Sequence, residues 1–498
     1  MIAAIDAGSN ALRLAIATVD ENHHPHVVCN VREPVRLGAD VFATGVITPV
    51  TLNRAVTAFR KFRNLMREHH VESFHAVATS ALREARNRQA VIKRVRDATG
   101  IELNVIAGEE EARLVYLAVA GKLDLTGHRA LLIDIGGGSV EIVLAVNGQI
   151  AATDTFRMGA VRLLRELGDR QPRQFNKLVR EYVDATRKRL RRDIGRQPID
   201  MCIATGGNLE TLGDLRRRRY GKENDLIKLD ELHELIQEMQ AVPITERIKK
   251  FGLRPDRADV IIPAAIVLHR LLQWTGAKAA LLPRVGLKDG LLVDLLARLH
   301  HERTQEFRNQ VIGSALQLGN KYEFDRQHGQ AVARFAMELF DATRGVHKLD
   351  DDHRLLLEVA ALLHEVGNYV DVTGHHKHSY YLIAHSRLLG LTDWQRTIVA
   401  NVARYHRKST PTLEHEPYRA LSPKARLIVD KLAAVLRLAD ALDKEHGSKV
   451  KRIEIEFRPP KLVLRLRGRG DLLLESWALT TKSELFEEVF GVKVTAVH

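Results

Sequence analysis

A chain of 498 residues is too long for one core of ordinary size and predicts two to four domains. Hydrophobic residues at 45% and charged residues at 28% exclude a disordered chain and describe a globular one. A net charge of +14 favours encounter with polyanions, whether nucleic acid, an anionic membrane surface or polyphosphorylated small molecules, and names none of them.

Cys29 and Cys202 supply neither a disulfide framework nor zinc-ligand spacing, which fits a reducing compartment. The first residues, MIAAIDAGSN, carry no basic leader and no cleavage signal, and no apolar run reaches the ~18 residues of a membrane span. A cytoplasmic protein without membrane insertion is expected.

Ile2 to Val19 alternates in short apolar runs around Asp6-Ala-Gly-Ser-Asn10, predicting a strand, a tight turn and a returning strand. Ala130 to Val146 repeats the pattern. Setting AAIDAGSNALRLAIA above LLIDIGGGSVEIVLA aligns Asp6 with Asp134, Gly8 with Gly136 and Leu14 with Ile142. A repeat at this spacing reads as two copies of one α/β domain facing each other. Between the copies, helices are predicted over 51–69, 86–99 and 109–120, with short strands at 74–78 and 103–106. A long basic helix follows at 173–192, then a strand at 200–204, helices at 230–240 and 259–274, and an αβ stretch at 279–300. From about residue 304 the pattern turns helical, with helices over 325–342, 351–366, 378–388, 393–404 and 423–442. From residue 449 two strands, a helix at 482–490 and a last strand predict a small α+β appendage.

Glycines 136–138 in DIGGGSVEI can aim backbone N–H groups into one concavity with φ values that other residues resist, which suits a phosphate. Taken alone, the run fits an ordinary hairpin turn equally well. Its echo at Gly8-Ser9-Asn10 favours two facing phosphate-binding turns. Asp134 and Glu141 flank the glycines and could hold a hard divalent cation, magnesium suiting so sparse a set better than zinc or calcium. In AGEEEARLVYLAV, acidic side chains complement a helix N-terminus, and Glu111, the last of the three, could deprotonate a water beside bound phosphate. ATSALREARNR places Ser80 and Arg83 at the start of a helix, where Arg83 is either a surface residue or a fork for phosphate oxygens. ATGGNLETL repeats the strand, glycine turn and helix, with Gly206 and Gly207 admitting close backbone approach. Basic runs at 187–192, 216–219 and 465–469 read first as solvated faces. Aromatic residues are only 5% and do not interleave with them, so no nucleic-acid partner is expected. The helical section carries His328, His364, Glu365, His375, His376, His378, His406 and Asp440, which could bind a metal or be packed imidazoles on polar faces.

Together AAIDAGSNALRL, ATSALREARN, GEEEARLVYLAV, DIGGGSVEIVL, ATGGNLETL and VGLKDGLL resemble, in this order, the exopolyphosphatase and guanosine pentaphosphate phosphohydrolase family of the actin and sugar kinase superfamily. The resemblance implies an α/β fold of two ribonuclease-H-like domains (1–124 and 125–302) flanking a cleft, then an all-helical HD-like domain (303–447) and a small α+β domain (448–498). It implies hydrolysis of the terminal phosphate of inorganic polyphosphate or of guanosine pentaphosphate (pppGpp) with Mg2+ or another divalent cation such as Mn2+, in a homodimer. Glu111 would be the general base, and Asp134, Glu141 and Asp6 would position the metal. Ser9, Asn10, Arg83, Gly136, Gly137, Gly138, Ser139, Gly206 and Gly207 would bind phosphate. A kinase of the same superfamily would share the glycine hairpins, and a non-catalytic polyphosphate sensor would not need the three carboxylates. In LHEVG the HD pair is replaced by His364-Glu365, whose longer carboxylate is expected to displace a metal ligand. The helical domain is then expected to extend a basic channel or to dimerise.

Overall fold

The alternation read from Ile2 to Val19 folds as β1 (Ile2–Ala7) and β2 (Leu12–Val19), an antiparallel pair joined at Gly8–Ala11. This is a computed structural model; it describes the chain apart from residues 22–23, 169–171, 196, 222–224, 300–304, 387 and 498. The predicted end of the αβ stretch at residue 300 and the boundary at 302/303 lie outside the described residues. With β3 (Pro25–Glu33), β4 (Ser73–Ala78) and β5 (Asn104–Val105), the first two strands form a sheet in the order β3-β2-β1-β4-β5. The second sheet contains β6 (Arg129–Ile135), β7 (Val140–Val146), β8 (Gln149–Phe156), β9 (Met201–Thr205), β10 (Leu226–Lys228) and β11 (Ala279–Leu281), ordered β10-β11-β9-β6-β7-β8. Read from the other edge, β8-β7-β6-β9-β11 repeats the first sheet, with two antiparallel pairings followed by two parallel ones. The repeat extends to the ladder position: Ile5 faces Leu14 as Ile133 faces Ile142, and Asp6 faces Arg13 as Asp134 faces Glu141. These are the two ribonuclease-H-like lobes.

The edge strands β3 and β8 are not predicted from the sequence. Both are partly exposed and lack a clean apolar alternation, so no period-2 signal marks them. The basic stretch expected as one helix is two, Pro172–Ala185 and Arg187–Ile194. They part at Thr186, whose hydroxyl bonds the Val183 carbonyl at 2.7 Å and competes with the helix ladder.

Contacts divide the chain into Met1–Arg303 and Thr304–His498. Within the first unit, the helix Leu287–Leu299, expected in the second lobe, packs on the first. Leu291, Leu292 and Leu295 share a core with Ile2, Ala4, Val77 and Leu114. A Cβ on Gly290 would stand 1.8 Å from the Leu114 carbonyl oxygen, so only glycine lets this helix close on the helix Gly108–Ala120. Arg113 and Asp294 pair across the same joint at 2.7 Å.

The second unit packs the helices Arg326–Ala342, Asp351–Leu363, His375–Ala384, Asp393–Arg404 and Pro423–Ala441 around one core. Its sheet, β12 (Val450–Arg458), β13 (Lys461–Gly468) and β14 (Lys493–Val497), contributes Ile453, Leu462 and Leu464 to that core instead of forming a separate one. Arg465 and Arg467 face Glu456 and Glu454 across the strands, a solvated charged face. Among the described residues no helix is long and apolar enough to cross a membrane.

Candidate active site

The two glycine turns meet. A Cβ on Gly137 would lie 2.9 Å from the Ser9 Cβ and 3.3 Å from the Asn10 nitrogen, which places the β6–β7 turn against the β1–β2 turn. Glycines 136–138 do not have positive φ. The expectation of unusual backbone angles is therefore replaced by one of close approach. Gly138 shows this best: its added Cβ would fall 2.2 Å from the Ser80 Oγ and 2.4 Å from the Phe42 Cζ, while its carbonyl accepts from Arg162 Nε at 2.7 Å. Gly138 thus packs the turn and does not line the cavity. Gly138→Ala is expected to cost about 1–3 kcal/mol by overpacking, read as a lower melting temperature in calorimetry.

The cavity beside these turns has a volume of about 470 Å³, and its wall includes Ser9, Asn10, Gly136, Gly137, Ser139, Gly206 and Gly207 as expected. Glu111 and Asp134 line it, and with the buried Glu141 behind them they bring one carboxylate oxygen each within 4.8 Å of the others. Three separate stretches deliver them: the start of Gly108–Ala120, the end of β6 and the start of β7. Of the three glutamates in sequence, Glu110 pairs with Arg113 at 2.7 Å and Glu109 meets the Thr155 hydroxyl at 3.4 Å. Glu111 alone joins the carboxylate group. Asp134 accepts from the Thr205 hydroxyl at 2.6 Å. Both oxygens of Glu141 and Oε2 of Glu111 are buried without a hydrogen-bond donor. Asp6 stands outside this trio, with Oδ2 held by Arg13 at 3.0 Å and Oδ1 buried without a donor.

Arg83 differs from its expected role. It donates to the Ile106 carbonyl at 2.6 Å, lies 3.5 Å from Glu111, and does not line the cavity. The cations of the wall are Arg13, Arg32, Arg254, Arg257 and Lys288, which the sequence did not single out, and Arg218 of the basic run 216–219, which is therefore not simply a solvated face, Arg216 of the same run being buried. Arg257 donates to Asn208 Oδ1 at 2.9 Å, and burial together with Arg13, Arg32 and Arg254 depresses its pKa. Such mutual repulsion is relieved by an anion. A Cβ on Gly207 would lie 2.1 Å from Arg257 and 2.9 Å from Arg13, so this glycine makes room for guanidinium groups. The ladder position of Arg13 opposite Asp6 is the one signal that could have identified a member of this group.

A model of the Ppx/GppA phosphatase family matches residues 15–299, and one for domain III of Ppx/GppA phosphatases matches residues 312–488. The chain belongs to the Ppx/GppA phosphatase family. This Ppx/GppA protein is a hydrolase acting on phosphoric anhydrides. It is 27% identical over 442 residues, 88% of this chain and 86% of the relative, to a guanosine-5'-triphosphate,3'-diphosphate pyrophosphatase of Vibrio vulnificus. The corresponding protein of Vibrio campbellii is 26% identical over 445 residues, with the same shares. An exopolyphosphatase structure from Cytophaga hutchinsonii matches with a TM-score of 0.57 and 27% identity, over 60% of this chain and 98% of that one. The fold is also that of the Aquifex aeolicus Ppx/GppA family member, with a TM-score of 0.52 and 24% identity over 61% and 99% of the two chains.

Burial and the neighbouring Asp134 and Asp6 push Glu111 up to about 8 against the pull of Arg83. Burial, Glu111 and Asp134 raise Glu141 well above the carboxylate range. Burial also raises Asp134 and Asp6. Because the folded values exceed the unfolded ones, the native state binds more protons across this window, and stability falls as pH rises from the usual 4.5 of Glu111 toward about 8. Orphaned hard oxygens in a buried group fit a divalent cation, which would offset that repulsion. In thermal melts, Mg2+ is therefore expected to raise the melting temperature more at pH 8 than at pH 5. An increment independent of pH would contradict this.

Proposed function

We propose that this Ppx/GppA phosphatase is an exopolyphosphatase, removing terminal phosphates processively from inorganic polyphosphate and releasing orthophosphate. The observation that carries the reading is the cavity wall. Arg13, Arg32, Arg218, Arg254, Arg257 and Lys288 stand in that wall beside the carboxylates Asp6, Glu111, Asp134, Glu210, Asp214 and Asp289, and the described lining residues include no Phe, Tyr or Trp. A repeating inorganic polyanion needs charge and no stacking platform, whereas a guanine base gains from an aromatic face.

In the proposed reaction a water oxygen attacks the terminal phosphorus, the bridging P–O bond breaks, and the shortened chain leaves with that oxygen. Glu111 accepts the proton of the attacking water, and Arg83 and burial orient its carboxylate. Asp134, Glu141 and Asp6 would hold Mg2+ or another divalent cation such as Mn2+, which when bound supplies charge neutralisation for the phosphate oxygens. The hydroxyls of Ser9 and Ser139, the Asn10 amide and the N–H groups of the glycine turns bind phosphate. Catalysis then rests on positioning and electrostatics, and no phosphoenzyme forms.

The alternative substrate is pppGpp, converted at the same site to ppGpp, and the names of the Vibrio relatives favour it. Phosphate release from long-chain polyphosphate and from pppGpp compares the two directly. A larger kcat/KM on polyphosphate supports the first reading, and a larger value on pppGpp replaces it with the second. Arg257→Met is expected to raise KM for long chains by about 10–10²-fold, since a desolvated arginine contact is worth about 1.5–3 kcal/mol. We also propose a cytoplasmic homodimer, whose assembly sedimentation analysis would test.

A further inference from the structure

On the reading that the two glycine turns bind phosphate, we propose that Arg162 is a positioning residue of this site. It holds the turn at glycines 136–138 in shape and, through Glu84, fixes that turn against the one at Ser9. Arg162 lies on the helix Ala160–Leu167 of the second lobe, is 2% exposed, and does not line the cavity. Removing a guanidinium from water is unfavourable, and a buried ion pair adds little net stability over apolar packing. Its burial here points to a role that an apolar side chain cannot fill.

The carbonyl groups of the turn define that role. A turn that offers N–H groups to a phosphate must send its carbonyl oxygens elsewhere, because their lone pairs repel an anion. All three glycine carbonyls are taken by the start of one helix. The Gly136 carbonyl accepts from the Ala160 N–H at 3.1 Å, and the Gly137 carbonyl from the N–H groups of Val161 at 2.8 Å and Arg162 at 3.0 Å. The Gly138 carbonyl accepts from Arg162 Nε at 2.7 Å, so a side chain continues what the helix backbone begins. A Cβ on Gly159 would lie 2.4 Å from the Gly138 nitrogen and from the Ser139 nitrogen, so only glycine lets the helix start this close to the turn. An apolar residue in place of Arg162 would leave the Gly138 oxygen a buried acceptor without this donor.

The rest of the guanidinium reaches the first lobe. Arg162 Nη2 donates to Glu84 Oε1 at 2.6 Å, and its Cζ lies over the Phe42 ring, 4.1 Å from the ring centre. Nη1 donates to Glu166 of its own helix at 3.3 Å. Glu84, which also accepts from Arg157 at 2.5 Å, ends the helix Ser80–Glu84. Ser80 begins that helix, and its hydroxyl shares a 2.9 Å hydrogen bond with the hydroxyl of Ser9. One short helix therefore meets both turns at its start and Arg162 at its end.

A planar fork serves a carbonyl, two carboxylates and a ring face at once, which the single ammonium of lysine cannot do. Arg162 thus sets the shape of one turn and its distance from the other. Phosphate held from both sides depends on both quantities, and a misplacement of about 1 Å costs on the order of 10²-fold.

The test is steady-state phosphate release from long-chain polyphosphate and from pppGpp by full-length Arg162→Lys, Glu84→Gln, their double variant and Ser139→Ala. Arg162→Lys is expected to raise KM by about 10–10²-fold on whichever substrate is turned over, and Glu84→Gln by a smaller factor. The double variant should be no worse than Arg162→Lys alone, since both changes cut one link. A merely structural role would lower kcat with the folded fraction and leave KM unmoved. Should Arg162→Lys fail to fold by circular dichroism, the KM of Glu84→Gln decides. Ser139→Ala, which removes a hydroxyl of the turn itself, separates the two readings. A raised KM in Ser139→Ala with KM unchanged in Arg162→Lys and Glu84→Gln overturns the positioning role and leaves the phosphate turn standing. An unchanged KM in Ser139→Ala overturns both, and effects that multiply in the double variant overturn the link through Glu84.

Discussion

Glu111→Gln is expected to lower phosphate release by about 10²–10⁴-fold, the usual contribution of a positioned general base. The amide keeps the size of the side chain and cannot take a proton from water. Because Glu111 is held near 8 by burial and by Asp134 and Asp6, the wild-type rate should climb with pH as this carboxylate ionises. Positive charge entering between the carboxylates should move the inflection to lower pH. The variant should show a low, flat profile with little change in KM. A rate within a few-fold of wild type, or an unaltered inflection, would remove Glu111 from the mechanism. Arg83→Gln offers a companion measurement: losing its 3.5 Å contact with Glu111 should raise the inflection further, whereas a role in phosphate binding alone would raise KM without moving it.

Glu141→Gln should separate activity from stability. Its two oxygens are buried without donors beside Glu111 and Asp134, so its ionised form is costly in the metal-free protein. Neutralising it is expected to raise the metal-free melting temperature at pH 8 and to shrink the Mg2+-induced increment. Turnover should fall by about 10²-fold or more, since charge stabilisation at the reacting phosphate is typically worth that much. A variant that lost activity and stability together would indicate a structural carboxylate. Stability sacrificed for an unneutralised functional charge predicts the opposite signs.

How much of this was legible follows from where each signal lies. The paired hairpins were readable because strand period and turn chemistry are local, and the same fifteen-residue pattern occurs twice. The edge strands β3 and β8 were not, because PHVVCNVRE and QIAATDTF carry no regular alternation to read. Glu111 could be singled out by its motif, but the structure distinguishes it from Glu109 and Glu110, which are bound elsewhere. Gly138 was readable as a glycine needed in a turn. Its reason, the packing of Ser80 and Phe42 against it, arises from residues distant in the chain.

By itself the sequence determined two α/β lobes, their facing glycine turns and the carboxylates at 111, 134 and 141, since each sits in a short pattern with its own backbone logic. Only the tertiary structure decided that the helix Leu287–Leu299 completes the first lobe, that Arg83 stands beside Glu111, and that Arg13, Arg32, Arg254 and Arg257 line one cavity. It alone brought His328, His364, His375, His406 and Asp440 together. Their separations in the chain follow no helical or strand period; they meet because helices pack by their apolar faces, and that packing fixes which polar side chains share the space between them.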